Sequence, residues 1–261
     1  MCPSPDVILR CHGIPFLSQS FDHFCHLWYI YEHKDTWRST VGERIPETEA
    51  IVDRDLAEYY SRLGKKYMKI PCKRVLYKIK AKGIDEGWAL DVGTGPGIFP
   101  ISIVKAYPRL RFICIDISPA MVAVASGNAN ELGLGGLIDF QVGSAYHLPC
   151  SDKSMDMVTC INTLHHLQDP IAFFNEVNRV LKEGGHFVIV DFHRDTSRVG
   201  VWFFNLLWKW VITRNGLGSE SFMESVRSSY SVSECRAFLE QSAMKRWVLY
   251  TRSLEMWIES A

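Results

Sequence analysis

Three glycines at alternate positions, Gly93, Gly95 and Gly97, follow one carboxylate, Asp91, and precede a second, Asp116, by about 20 residues. Glycine has no Cβ, so such a loop can take positive φ and come close to a ligand, while the N–H groups of a helix behind it face any negative or polar group. A carboxylate about 20 residues on can accept two hydrogen bonds from the ribose hydroxyls of a nucleoside. Held only by solvent, or as a helix cap, it would do neither. Farther along, His165 and His166 stand side by side and His193 follows. Imidazoles titrate near neutral pH and can take a proton from an acceptor group, or can simply shape a loop and cap a helix.

The elements that must position these groups are legible from periodicity. Trp88 to Val92 is an apolar strand, and Ile98, Ile101 and Val104 follow at helix spacing, so the glycine loop joins the carboxyl end of a strand to the amino end of a helix. Open α/β sheets bind their ligands at that junction. Arg111 to Ile115 is a second strand ending at Asp116. Ser118-Pro119 then caps a helix that runs to about Leu132, where Gly133, Gly135 and Gly136 close it.

A third strand, Ile138 to Val142, leads to Gly143-Ser144-Ala145, and Leu148-Pro149 turns toward a fourth strand ending at Asn162-Thr163-Leu164-His165-His166. Helix Pro170 to Lys182 ends at Gly184-Gly185, and strand His186 to Val190 leads to Asp191-Phe192-His193-Arg194. Asp191 and Arg194 are expected to orient a polar acceptor or to pair with each other. Ser231 and Glu234 have capping-box spacing before the last helix, and Arg227 and Tyr230 beside them are weaker candidates for an acceptor pocket. Two short runs around Thr251-Arg252 close the chain as an antiparallel hairpin.

Length and composition bound the reading. The 261 residues, 47% hydrophobic, suffice for one large domain with an appendage. Lys plus Arg equals Asp plus Glu at 29 each, so no global field draws the chain to nucleic acid or an anionic membrane. The eight cysteines are scattered without Cys-x-x-Cys, and Cys72, Cys114, Cys150 and Cys160 lie in or beside apolar elements. With neither a signal peptide nor an apolar run of about 18 residues, a cytoplasmic protein is expected.

Two segments are harder to read. Residues 1–83 are expected to form an N-terminal arm and helices that cover the ligand. The first forty contain Cys11, His12, His23, Cys25, His26 and His33, whose spacings match no finger or ribbon, so no metal site is expected. Ile51, Leu56, Tyr59, Tyr60 and Leu63 suggest a helix broken at Gly64, with a second helix starting or kinking near Pro71.

In the core, 84–261, an apolar helical insertion is expected at about 195–230. Read as a helix, Val199 to Ile212 is apolar on all but a narrow stripe of Asn205 and Lys209, so it must bury most of its surface. A lid over an apolar acceptor is the first choice; contact with a membrane interface and a homodimer contact are the others.

Asp91-Val92-Gly93-Thr94-Gly95-Pro96-Gly97 resembles the first motif of the class I S-adenosylmethionine-dependent methyltransferases, whose third glycine comes one residue earlier than in the dinucleotide fingerprint. Asp116, the Leu148-Pro149 turn, the His165-His166 loop and Leu181-Lys182-Glu183-Gly184-Gly185-His186 follow in that family's order, most like the ubiquinone and menaquinone C-methyltransferase branch. The resemblance implies a doubly wound, mostly parallel seven-stranded α/β sheet and S-adenosylmethionine as cofactor.

The cofactor residues it implies are Asp91, Gly93, Thr94, Gly95, Gly97, Asp116, Ile117, Met121, Ser144, Ala145, Asn162 and Thr163, with Tyr60 as a tyrosine lying over the cofactor. Ser144 departs from the family's aspartate and brings no charge to the adenine. The reaction implied is methyl transfer to a small-molecule acceptor, with His165, His166 or His193 as base where a proton must leave. A cofactor-binding protein without turnover, or a methyltransferase acting on protein or RNA, are the rival classes.

Overall fold

The computed structural model describes residues 43–47, 53–196, 201 and 221–261. All lie within the unit Ser39–Ala261. The expected helix Val199 to Ile212, with its lid, membrane and dimer roles, and the cysteine- and histidine-bearing first forty residues lie outside the described residues, apart from Val201.

The described chain runs α1 (Arg54–Tyr67), α2 (Lys69–Ala81), β1 (Glu86–Val92), α3 (Ile98–Ala106), β2 (Arg109–Asp116), α4 (Pro119–Asn130), β3 (Ile138–Val142), β4 (Met155–Ile161), α5 (Pro170–Val180), β5 (Leu181–Phe192), α6 (Ser221–Ser228), α7 (Val232–Gln241), β6 (Trp247–Arg252) and β7 (Glu255–Ser260). The seven strands form one sheet in the order β3-β2-β1-β4-β5-β7-β6. The first five are parallel, and β7 enters antiparallel to both β5 and β6.

Alternate side chains of each strand feed opposite faces, as the pleat requires. Leu90, Val158, Cys160, Phe187 and Ile189 join Phe173 and Val177 of α5 and Leu239 of α7 on one side. Ala89, Phe112, Cys114, Met157 and Val188 join Val75 and Ile79 of α2 and Ile101 and Val104 of α3 on the other. Helix α2 therefore supplies part of the main core. Cys72, Cys114, Cys160 and Cys235 are buried thiols, and Cys150 is half-buried.

Three local expectations are corrected. Helix α1 passes straight through Gly64, and the break falls at Met68. The glycine is there for space, since a Cβ on it would lie 2.8 Å from Ile98 Cγ1. Helix α5 stops at Val180, because β5 starts pairing at Leu181 opposite Met155 before its register shifts. The hairpin turns at Ser253-Leu254, with Ser253 at φ 58°, so Thr251 and Arg252 still pair in β6.

Candidate functional site

The glycine loop leaves β1 and folds over the end of β2. Gly93 and Thr94 both donate their N–H to the Ile115 carbonyl, at 2.9 and 3.0 Å. Gly93, at φ 68°, lies against Thr163, whose hydroxyl donates to the Gly93 carbonyl at 3.1 Å. The loop is pinned from behind by a residue that no motif marks: Asn128 of α4 donates to the Pro96 carbonyl at 2.8 Å and to Ser61 Oγ of α1 at 2.9 Å. Gly97 then enters α3 without capping it by a side chain.

Asp116 meets this loop directly. Its Oδ2 accepts from Gly95 N–H at 2.8 Å and its Oδ1 from Ser118 N–H at 2.9 Å. Burial raises its pKa despite those two bonds. Ser118 caps α4 by accepting from Met121 N–H, and Met121 is buried. Ile117, between them, is 65% exposed at the end of β2, an apolar surface held open beside a carboxylate.

Asp91 is buried one strand away and accepts from the Thr159 hydroxyl at 2.6 Å. Burial pushes its pKa up to about 6; the hydroxyls of Thr159 and Thr94 oppose that, and the Asp116 carboxylate adds to it.

Ser144, Ala145 and Asn162 follow strands at the same carboxyl edge, and Tyr60 is on α1. Ser144 accepts from Tyr146 N–H at 3.2 Å within the turn after β3, and Ala145 is half-buried there. Asn162 follows β4 in a left-handed conformation, φ 54°, and donates its N–H to Val190 O at 2.8 Å. Tyr60 is half-buried on α1, edge to face with Tyr59 and next to Ser61.

Beyond Thr163 a single 3-10 turn, Leu164–His166, carries the histidine pair. His165 is 3% exposed, and Asp191 holds it twice: Oδ2 accepts from its backbone N–H at 2.9 Å and Oδ1 faces Nδ1 at 2.6 Å. That partner assigns the proton to Nδ1 and leaves the Nε2 lone pair pointing away from Asp191. Burial works against its charged form, but the Asp191 carboxylate outweighs it and raises the pKa. The ring of His166 lies 4.1 Å from that of His165. Burial, and then its neighbour's charge, push His166 down to about 4.

Residues 43–47 complete this end of the site, and nothing in their sequence announced it. Arg44 donates to the carbonyls of Ser228 at 2.7 Å and His165 at 3.0 Å, and its guanidinium stacks on Tyr230 at 4.1 Å. Glu47 Oε2 accepts from Ser228 Oγ at 3.2 Å and lies 3.7 Å from His165 Nε2 and 3.8 Å from His166 Nδ1.

Other candidates are placed elsewhere. His193 Nε2 donates to Ser253 O at 3.0 Å, in the β6–β7 turn. Arg194 pairs with Glu234 at 2.7 and 2.5 Å rather than with Asp191, which is taken by His165. Tyr230 gives its hydroxyl to Leu167 O at 2.6 Å, and Arg227 is exposed. A cleft of about 380 Å³ lined by Lys153, Lys182, Lys245 and Arg246 sits at the opposite, amino end of the parallel strands and shares no residue with this edge.

Among the described residues no helix is long and apolar enough to cross a membrane. Residues 90–189 match the family described as a methyltransferase domain. The chain is 27% identical over 194 residues to demethylmenaquinone methyltransferase of Deinococcus radiodurans, covering 69% of this chain and 75% of that protein. It is 38% identical over 109 residues to ajmaline N-methyltransferase of Rauvolfia serpentina, covering 41% of this chain but only 37% of that relative's length. The fold of a SAM-dependent methyltransferase from Aquifex aeolicus superposes with a TM-score of 0.57 at 20% identity, over 80% of this chain and 99% of that one. By its matched domain and its relatives, the chain carries an S-adenosylmethionine-dependent methyltransferase domain at residues 90–189, set in the seven-stranded sheet described above.

Proposed function

We propose that this protein transfers the methyl group of S-adenosylmethionine to a small, apolar or partly apolar acceptor. The observation that carries the proposal is the 2.8 Å contact of Gly95 N–H with Asp116, which sets the glycine loop and the strand-end carboxylate on one rim. Two further features favour a nucleoside. Gly95, at φ 51°, has nothing among the described residues within 4 Å of where a Cβ would stand, and Ile117 offers an exposed apolar face.

Each Asp116 oxygen accepts one backbone bond and keeps capacity for another, which suits two ribose hydroxyls. Ile117 and Met121 would flank the adenine, with Ser144 and Ala145 near its amino group. Asp91, Thr94, Asn162, Thr163 and the glycines would hold the amino-acid part, and Tyr60 would lie over the cofactor. When bound, S-adenosylmethionine would supply a methyl on a sulfonium, the acceptor atom bonding to that methyl in line as its bond to sulfur breaks and S-adenosylhomocysteine leaves as a neutral thioether.

The chain's own work is alignment, exclusion of water and management of one proton. The Nε2 lone pair of His165, fixed by Asp191, and that of His166 Nδ1 are what it presents to the acceptor's polar atom. His193, engaged with Ser253, stands apart from them. Segment 1–83 as a cover, 195–230 as the acceptor side and a cytoplasmic location belong to the same reading. Small-molecule acceptors in the names of two relatives, and the balanced charge, support it over a nucleic-acid substrate.

Methyl-labelled S-adenosylmethionine offered with a panel of apolar hydroxyl, amine and carbon acceptors tests the proposal. Label is expected on at least one; cofactor binding without transfer to any would favour the non-catalytic alternative. Asp116→Ala is expected to raise the cofactor Kd about 5- to 150-fold through lost charged hydrogen bonds. Unchanged affinity in the folded variant would remove Asp116 from the ribose site.

A further inference from the structure

We propose that Glu47, His165 and His166 form a binding site for a divalent first-row metal ion of the zinc type, placed to hold the acceptor's polar atom. The placing rests on the methyltransferase reading; the ion itself does not. Three ligand atoms, Glu47 Oε2, His165 Nε2 and His166 Nδ1, all lie within 4.8 Å of one another. Two imidazoles and one carboxylate are a donor set that such ions take, with further positions left open.

Bonds of about 2.0–2.1 Å in a tetrahedral arrangement put neighbouring ligand atoms about 3.4 Å apart. The two separations from Glu47, 3.7 and 3.8 Å, are too long for hydrogen bonds yet close to that spacing. Small turns of the Glu47 carboxylate and the His166 ring would close them, since their side chains are 27% and 37% exposed.

Three further observations point to a cation. His165 Nε2 and His166 Nδ1 are buried and have no hydrogen-bond partner among the described residues, although buried polar atoms nearly always have one. Asp191 on His165 Nδ1 reproduces the carboxylate that orients a metal-bound imidazole and strengthens its other nitrogen. The charges also agree: Glu47 and Asp191 outweigh Arg44, whose guanidinium is engaged by the Ser228 and His165 carbonyls and Tyr230. With the His165 proton on Nδ1 toward Asp191 and the His166 proton on Nε2, three acceptors converge, and Glu47 Oε2 keeps a lone pair for an ion beside the hydrogen bond it accepts from Ser228 Oγ at 3.2 Å.

The test is calorimetric titration of Zn²⁺ into the untagged, chelator-treated full chain, repeated with Co²⁺ to read its visible absorption. One equivalent with imidazole-type Co²⁺ bands is expected. Glu47→Ala and His166→Ala should each weaken it more than about 100-fold, and Asp191→Asn about 10- to 100-fold. Thermal melts of each variant report folding. No binding by the folded wild type reduces the cluster to an ion pair and overturns the proposal. So does affinity unchanged in a folded Glu47→Ala/His166→Ala variant, which would move the metal to other cysteines and histidines. S-adenosylmethionine titrated into the same samples separates the two readings: cofactor binding without metal sinks only the ion, and metal binding without cofactor sinks only the methyltransferase site.

Discussion

Gly93→Ala is expected to cost about 2–5 kcal/mol and to abolish measurable cofactor binding, the sum of overpacking and a left-handed alanine. At φ 68° the new Cβ would lie 2.1 Å from Thr163 Cγ2 and 2.3 Å from its Oγ1. Thr163 cannot step aside cheaply, because its hydroxyl donates to the Gly93 and Ile161 carbonyls. A melting temperature lower by roughly 5–20 °C is the expected reading. Gly95→Ala is the control: its Cβ meets nothing among the described residues, so it should cost only the backbone term of about 1–2 kcal/mol while intruding on the ligand's space. Equal melting of Gly93→Ala and wild type would contradict the packing described.

Asp91→Asn is expected to stabilise the free protein while weakening its grip on the cofactor. Burial is the main reason the Asp91 pKa rises from 3.8 to about 6. Between those values the unfolded chain has released its proton and the folded chain keeps it, so wild-type stability falls as pH rises through this window. The accumulated loss at pH 7 is about 3 kcal/mol. Asparagine carries no charge and still offers Thr159 an amide oxygen. Unfolding by denaturant should therefore show the variant more stable by up to about 3 kcal/mol at pH 7.5 and indistinguishable at pH 3.5. A difference that is the same at both pH values would refute the buried-charge account. The cofactor's cationic groups lose a counter-charge in the variant, so its affinity should fall as stability rises.

What sequence could say about this site depended on distance along the chain. The strand, glycine loop and helix cap are local, set by neighbours within a few residues, and Gly95 meets Asp116 just 21 residues away. The capping box of Ser231 and Glu234 formed for the same reason. Arg44 and Glu47 act on partners 118 to 184 residues distant, where no periodicity reaches. Asn128 left one faint signal, an amide in an otherwise small and apolar helix face. Asp191 was read toward Arg194, its near neighbour in sequence. The fold instead sets β5 beside β4, and the turn after β4 brings His165 to Asp191 while Glu234 on α7 takes the arginine.

We expect the loop at Gly93–Gly97 and Asp116 to bind a sulfonium nucleoside together. Calorimetric titration of S-adenosylmethionine into the purified full chain measures this directly. Saturable binding of one molecule per chain, with S-adenosylhomocysteine competing for the same site, is the result predicted. A folded chain that gives no binding heat at any of several temperatures, and protects neither ligand from displacement, would contradict it.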